Sequence, residues 1–146
     1  MNKYREMVHR HQQEINALPL GHAYSDHQFT EMMLNWSLDP EKDLDKICQF
    51  SYGAFCKKTD LQLIEDTFKR QGEELQEAIS QDKTGEDFIY QMFLNELNNH
   101  EFGYTGDYEE TLDAIGYTWD EVQSDKRLLH GFEKAAKKIM KTDIFE

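Results

Sequence analysis

Four pairs of residues that commonly cap α-helices occur along this 146-residue chain. In each pair a Ser, Thr or Asp is followed three residues later by Gln, Asp or Glu, and side chains at this spacing can satisfy the free backbone N–H groups of a helix start. The pairs are Ser25 with Gln28, Thr84 with Asp87, Asp107 with Glu110, and Thr118 with Glu121. So many helix starts predict a mainly helical chain.

Apolar residues recur at helical spacing after these starts and elsewhere in the chain. They predict a first helix over about residues 3–17, a long helix that follows Asp60, and a last helix over residues 125–141. Asp39 before Pro40 predicts a further short turn of helix that reaches Leu44. The total is about six or seven helices.

Residues 46–58, KICQFSYGAFCKK, differ from this pattern because aromatic, β-branched and Cys residues flank a Tyr52-Gly53 turn. They predict one small β-hairpin in which Phe50 faces Ala54 and Cys48 faces Cys56. The two cysteines can then be packed thiols, a disulfide bridge or ligands of a shared metal ion. The predicted fold is mainly α (α+β), a compact bundle of helices with this hairpin, in a single acidic domain over residues 1–146.

The net charge of −13 is unevenly distributed along the chain. Residues 60–125 hold 18 Asp and Glu against three Lys and Arg, or −15, so the remaining residues sum to +2. Such a segment repels nucleic acid and favours cationic partners, although it can also be a solvated face that maintains solubility. The candidate partner-binding residues are Glu73, Glu74, Glu77, Asp82, Glu86, Asp87, Glu109, Glu110, Asp120 and Glu121.

Other features limit the location and the chemistry of the protein. No apolar run approaches the roughly 20 residues that span a bilayer, and the first residues are too polar for a secretory signal. Two cysteines are too few for a disulfide scaffold, so we expect a cytoplasmic protein without a membrane partner. The chain has no Gly-rich phosphate loop, no G-x-S-x-G elbow and no C-x-x-C, which predicts no nucleotide cofactor and no enzymatic activity.

The segment FIYQMFLNELNNHEFGYTGD, residues 88–107, reads as a helix and a loop, and it places Glu96 and His100 within an apolar stripe. A buried carboxylate needs partners, and side chains at i and i+4 on a helix can meet. One interpretation is a Glu96–His100 pair that Tyr104 or Thr105 completes. The other is a site for zinc or a similar divalent ion, in which Glu96 and His100 are joined by His11 from the first helix.

Three stretches carry a likeness to known proteins: DKTGEDFIYQMFLNELNNHEFGYTGDYEETLDAIG, LPLGHAYSDHQF and LLHGFEKAAKK. Together they resemble a group of small uncharacterised proteins, labelled as a domain of unknown function, from phages and mobile elements of Gram-positive bacteria. Small acidic phage proteins of this kind include inhibitors of host defence nucleases, among them type II anti-CRISPR proteins that bind Cas9. The resemblance therefore implies a basic, nucleic-acid-binding bacterial partner and a location in the cytoplasm of the bacterial host cell.

Three hypotheses for the function follow. The first is a phage-type inhibitor that binds a defence enzyme, Cas9 being the best candidate, and blocks nucleic-acid loading through its acidic surface without binding nucleic acid itself. The second is a small metalloprotein whose ion, structural or catalytic, is held by Glu96, His100 and His11. The third is a phage regulatory or structural protein.

Overall fold

The structure, a computed structural model of the chain, describes residues 2–145 and the side chains of residues 2–141. Within these residues it contains eight α-helices and one three-stranded antiparallel sheet, which confirms the mainly helical prediction. In chain order the elements are α1 (Lys3–Asn16), β1 (Gly21–His22), α2 (Asp26–Asn35), β2 (Ile47–Ser51), β3 (Ala54–Lys57), α3 (Leu61–Gln81), α4 (Phe88–Asn99), α5 (Phe102–Thr105), α6 (Glu109–Ile115), α7 (Trp119–Ser124) and α8 (Lys126–Phe145).

Two of the predicted helix starts form as expected. The Ser25 side chain accepts a hydrogen bond from the Gln28 N–H and caps α2. Thr118 and Glu121 form a reciprocal capping box at the start of α7. Gly116, with φ of 78°, ends α6 in the left-handed conformation that glycine adopts at low cost.

The other two pairs and the Asp39-Pro40 signal behave differently. Asp87 caps α4 without a side-chain hydrogen bond, and Tyr108 rather than Asp107 is the N-cap of α6. Asp39 accepts hydrogen bonds from the N–H groups of Glu41 and Lys42, but the chain forms only a turn there and then a 3₁₀ turn at Leu44–Lys46. The predicted short turn of helix is therefore present as the turn that the Asp43 N–H closes on the Asp39 carbonyl oxygen at 3.1 Å, but it does not continue as an α-helix through Leu44.

The hairpin lies within the predicted range and pairs Cys48 with Cys56 as expected. Its turn is shorter than predicted, because Ser51 rather than Phe50 pairs with Ala54 and a bulge displaces Phe50. A third strand, β1, pairs with β3 and makes it the central strand. The sequence analysis missed β1 because two residues are too few to show a periodicity.

The chain divides into two compact units. The single acidic domain over residues 1–146 stays a prediction. The first unit contains the residues up to Arg10 and those from Glu73 onward. Its core is formed chiefly by α4 packed on α8, and the Phe93 and Phe132 rings meet edge to face at 5.5 Å. Further aromatic rings, those of Phe102, Tyr108 and Trp119, pack on Phe132.

The second unit spans His11–Gly72 and contains the sheet, α2 and the first part of α3. Met32 and Met33 of α2 form its core with Ala23, and aromatic rings from α2 and the sheet cover them. Phe29 and Phe55 meet edge to face at 5.5 Å. Within the part of the chain that the structure describes, no helix is long and apolar enough to cross a membrane.

Candidate functional site

Glu96 lies on the buried face of α4, as its place in the apolar stripe predicts. Its neighbours along that face, Ile89, Met92, Phe93 and Leu97, are fully buried, and Glu96 itself is 8% exposed. A carboxylate in such a position is tolerated only if hydrogen bonds replace the water that it has lost. The partners of Glu96 therefore determine what this cluster can do.

The closest side-chain partner of Glu96 comes from α1. The Tyr4 hydroxyl donates a hydrogen bond of 2.8 Å to Glu96 Oε1, and Tyr4 is itself buried. Burial raises the pKa of Tyr4 well above its ordinary value, and the hydrogen bond to Glu96 and the Glu96 charge raise it further. The sequence analysis placed Tyr4 only in the apolar stripe of α1. The available signal was its hydroxyl, because a buried Tyr usually finds an acceptor.

His100 continues the cluster toward the surface. Its Nε2 lies 3.4 Å from Glu96 Oε2, and its Nδ1 lies 3.5 Å from an oxygen of Glu110, a side chain that is 80% exposed. The predicted Glu96–His100 pair is confirmed, but its closure by Tyr104 or Thr105 is wrong. Tyr104 is 91% exposed, and the Thr105 hydroxyl donates to the backbone oxygen of Glu101.

Two further contacts hold the backbone and the carboxylate of Glu96. The Thr111 hydroxyl of α6 donates to the Glu96 carbonyl oxygen at 3.3 Å, and the Asn95 amide donates to Glu96 Oε1 at 3.4 Å. Among the described residues no buried side-chain nitrogen or oxygen lacks a partner. We call this cluster the Glu96 network and define it by Tyr4, Glu96, His100, Glu110 and Thr111. It joins α1, α4 and α6, and its contacts are those of a structural network.

The predicted metal ligands were Glu96, His100 and His11. Among residues 2–141 no group of three or more His, Cys, Asp and Glu side chains could hold a metal ion. His11 belongs to the second unit, where its carbonyl oxygen accepts a hydrogen bond from Gln71, whereas Glu96 and His100 belong to the first. The structure gives the metal site no support, and it stays a prediction.

Asp82 is not a surface residue, although the sequence analysis counted it among the partner-binding carboxylates. It is 6% exposed, and its two oxygens accept hydrogen bonds from four backbone N–H groups, three in the segment between α3 and α4 and one, that of Ile89, in the first turn of α4. Burial alone raises the pKa of a carboxyl group, but these four donors outweigh burial and hold the pKa of Asp82 below its ordinary value. Asp82 therefore organises the α3–α4 loop.

The other nine predicted partner-binding residues retain some exposure, and all of them lie in the first unit. Several are already paired within it. Glu74 is half-buried and forms an ion pair with Arg10. Asp87 meets Lys3 at 3.0 Å, and Glu86 lies 3.1 Å from His130 Nε2. Lys134 also lies 3.9 Å from Glu86, and the three pairs with Arg10, Lys3 and Lys134 reduce the free charge on that part of the surface.

The remaining carboxylates are less engaged. Within the described part of the chain, Glu73, Glu77, Glu109 and Asp120 have no ion-pair partner, and Glu77 accepts only an amide hydrogen bond from Gln81. Glu109 and Glu110 stand in the first turn of α6, and Asp120 and Glu121 stand in the first turn of α7. Negative charge at these positions also stabilises the helix dipoles, so part of the acidity serves local structure.

A cleft of about 390 Å³ brings two acidic elements together. Gln76 and Ser80 of α3 line one part of it, and Glu121 lines another. Glu73 and Glu77 lie three residues before Gln76 and Ser80, so they fall on or beside the same face of α3. We call this region the α3–α7 acidic cleft and define it by Glu121, which lines it, and by the exposed acids next to its lining residues, Glu73, Glu77 and Asp120.

Arg127 also lines the cleft, but its guanidinium is engaged elsewhere. It donates to the backbone oxygens of Ile79 and Asp82, at 2.9 and 2.8 Å, and therefore caps the end of α3. It also holds the Asp125 carboxylate, and this hydrogen-bonded ion pair is the main reason why the pKa of Asp125 lies below its ordinary value. The cleft thus keeps a negative balance.

The model of one protein family, described as a family of unknown function (DUF7659), matches residues 3–138. The chain belongs to this family. No curated protein and no solved structure matches it. The DUF7659 match begins at the first residue of α1 and ends within α8. Both the Glu96 network and the α3–α7 acidic cleft therefore lie within the family region. This match confirms the predicted likeness to a family of unknown function. Membership in this family assigns no activity and no partner to the chain.

Proposed function

We propose that this protein is a non-enzymatic inhibitor that binds a basic, nucleic-acid-handling bacterial enzyme, with a Cas9-like nuclease as the best candidate. The observation that supports this proposal is the α3–α7 acidic cleft. Glu121 of α7 lines the cleft, and Glu73, Glu77 and Asp120 are exposed within three residues of its lining residues on α3 and α7. The arginine that lines the cleft, Arg127, is engaged in contacts within the fold.

The charge of the cleft defines the kind of partner. Exposed carboxylates repel phosphate groups, so direct binding to nucleic acid is disfavoured. Arginine and lysine side chains of another protein supply the matching charge, and a guanidinium can bind a carboxylate through two parallel hydrogen bonds. A protein with a basic groove therefore complements this surface, and the attraction also accelerates association.

Enzymes that hold nucleic acid in a positively charged channel are the class of partner with such grooves. In Cas9 this channel holds the heteroduplex of guide RNA and target DNA. An acidic helical protein in the channel competes with the phosphate backbone and needs no chemistry of its own. The resemblance to phage proteins that include defence-nuclease inhibitors favours this partner over other basic proteins.

The proposal is tested by titrating purified Cas9 with the wild-type protein and with the double charge reversal Glu73→Lys/Glu77→Lys. We expect the variant to bind about tenfold more weakly or worse, and wild-type binding to weaken as salt is raised. The matched control is Glu41→Lys/Asp45→Lys in the second unit, which changes the net charge by the same amount at exposed positions. Equal affinity of both double variants and the wild type would remove the cleft from the mechanism.

A further inference from the structure

Cys48 of β2 and Cys56 of β3 are directly opposed across the hairpin. Opposed residues of an antiparallel pair place their side chains on the same face, with Cα atoms about 4.5–5.5 Å apart. This separation is within the range of about 4.4–6.8 Å that a disulfide spans. We infer that the two residues are a modification site, a dithiol that low-molecular-weight disulfides convert to a reversible intramolecular disulfide.

The two thiols differ in their surroundings. Both are free, but Cys56 is fully buried and Cys48 is half-buried. Burial raises the pKa of Cys56, and the adjacent Cys48 and the carboxylates of Asp60 and Glu65 raise it further. Because a thiolate is the attacking species and the oxidant must reach it, Cys48 is the residue that reacts first.

The reaction is a pair of thiol–disulfide exchanges. The Cys48 thiolate attacks one sulfur of glutathione disulfide, forms a mixed disulfide and releases one glutathione thiolate. Cys56 then loses its proton and attacks the Cys48 sulfur, which forms the Cys48–Cys56 bond and releases the second glutathione. The protein loses two protons and two electrons, and the oxidant gains them as two glutathione thiols.

The new bond acts on an edge strand of the sheet. The strand order β1-β3-β2 makes β2 an edge strand, so within the described residues β3 is its only strand partner. β2 is also interrupted by the bulge at Phe50, which weakens the ladder locally. A covalent link between Cys48 and Cys56 therefore fastens β2 to the central strand and closes a short loop around Tyr52-Gly53.

The test is to treat the reduced full-length protein with glutathione disulfide, block the remaining thiols by alkylation and measure the intact mass. We expect a species that has lost two hydrogen atoms, carries no glutathione and takes up no alkyl group. A stable single glutathione adduct, a disulfide-linked dimer or two alkylated thiols would each overturn the inference.

Two single variants separate the roles of the cysteines. Cys56→Ser should stop at one glutathione adduct on Cys48, whereas Cys48→Ser should remain unmodified while it is folded, because Cys56 is buried. Equal adduct formation on both variants would contradict the order of reaction.

The wild-type protein gives a further measurement that needs no variant. Its oxidised form should melt about 5 °C higher than its reduced form, and an unchanged melting temperature would mean that no bond fastens the hairpin.

Discussion

Glu96 shows how a single acidic residue can occupy an apolar stripe. Its position next to His100 was predictable, because the two are four residues apart on one helix. Tyr4, the partner at 2.8 Å, lies 92 positions away in the chain, and no local pattern connects two residues at that separation. The Glu96–His100 pair within α4 could therefore be predicted from the sequence, whereas the Tyr4–Glu96 contact between α1 and α4 could not.

Removing the Tyr4 hydroxyl tests the Glu96 network. Tyr4→Phe keeps the ring, which stacks on Phe88 with centroids 5.9 Å apart, but it deprives the buried carboxylate of its shortest side-chain hydrogen bond. We expect the free energy of unfolding in urea to fall by about 1–3 kcal/mol. Tyr104→Phe, which removes a hydroxyl from a residue that is 91% exposed, is the control and should change stability by less than about 0.5 kcal/mol. Similar stability of the two variants would contradict the role assigned to Tyr4.

At the scale of elements, helix starts were predicted better than the segments between them. Thr118 and Glu121 form their box because both partners lie within one turn, where the sequence specifies the geometry. The stretch after α4 gave no comparable signal: Glu101 adopts φ of 58°, the backbone turns there, and α5 follows where a loop was predicted. Left-handed geometry at a residue other than glycine is uncommon, so the sequence carries no signal for it.

The α3–α4 loop shows the same limit. The sequence suggested that Thr84 opens α4, but Asp82 organises the loop from a buried position. Gly85, with φ of +86°, passes so close to α8 that an added Cβ would collide with the Arg127 carbonyl oxygen. The sequence alone presents Asp82 as one of many acids, and only the packing of α8 on this loop reveals its structural role.

Asp82→Asn tests this loop and its dependence on pH. The folded-state pKa of Asp82 lies below the unfolded value, so its contribution to stability is complete above the unfolded pKa, near 3.8, and is lost as pH falls through the folded pKa. We expect Asp82→Asn to cost about 1–3 kcal/mol at neutral pH and to lose less stability than the wild type below pH 4 or so, as measured by urea unfolding. Asp113→Asn, at an exposed position of α6, should follow the wild-type profile. An Asp82→Asn profile parallel to that of the wild type would refute the assignment.

At the scale of the whole molecule, the uneven charge was readable from the sequence, but its distribution in the fold was not. Of the ten acids predicted to bind a partner, Asp82 is buried, and Glu74, Asp87 and Glu86 form ion pairs with Arg10, Lys3 and Lys134 of the first unit. What remains for a partner is concentrated in the α3–α7 acidic cleft and in the first turn of α6. The proposed recognition therefore depends on a few positions more than on the net charge of −13.

The most direct test of the proposed inhibition is to measure guide RNA binding by Cas9 while the concentration of this protein is raised. Fluorescence anisotropy of a labelled guide RNA gives the apparent Kd at each concentration. If the protein occupies the basic channel, the apparent Kd should rise in proportion to its concentration, and Glu73→Lys/Glu77→Lys should shift it far less. An apparent Kd that stays constant up to a large excess of the wild-type protein would contradict the proposal that it blocks nucleic-acid loading.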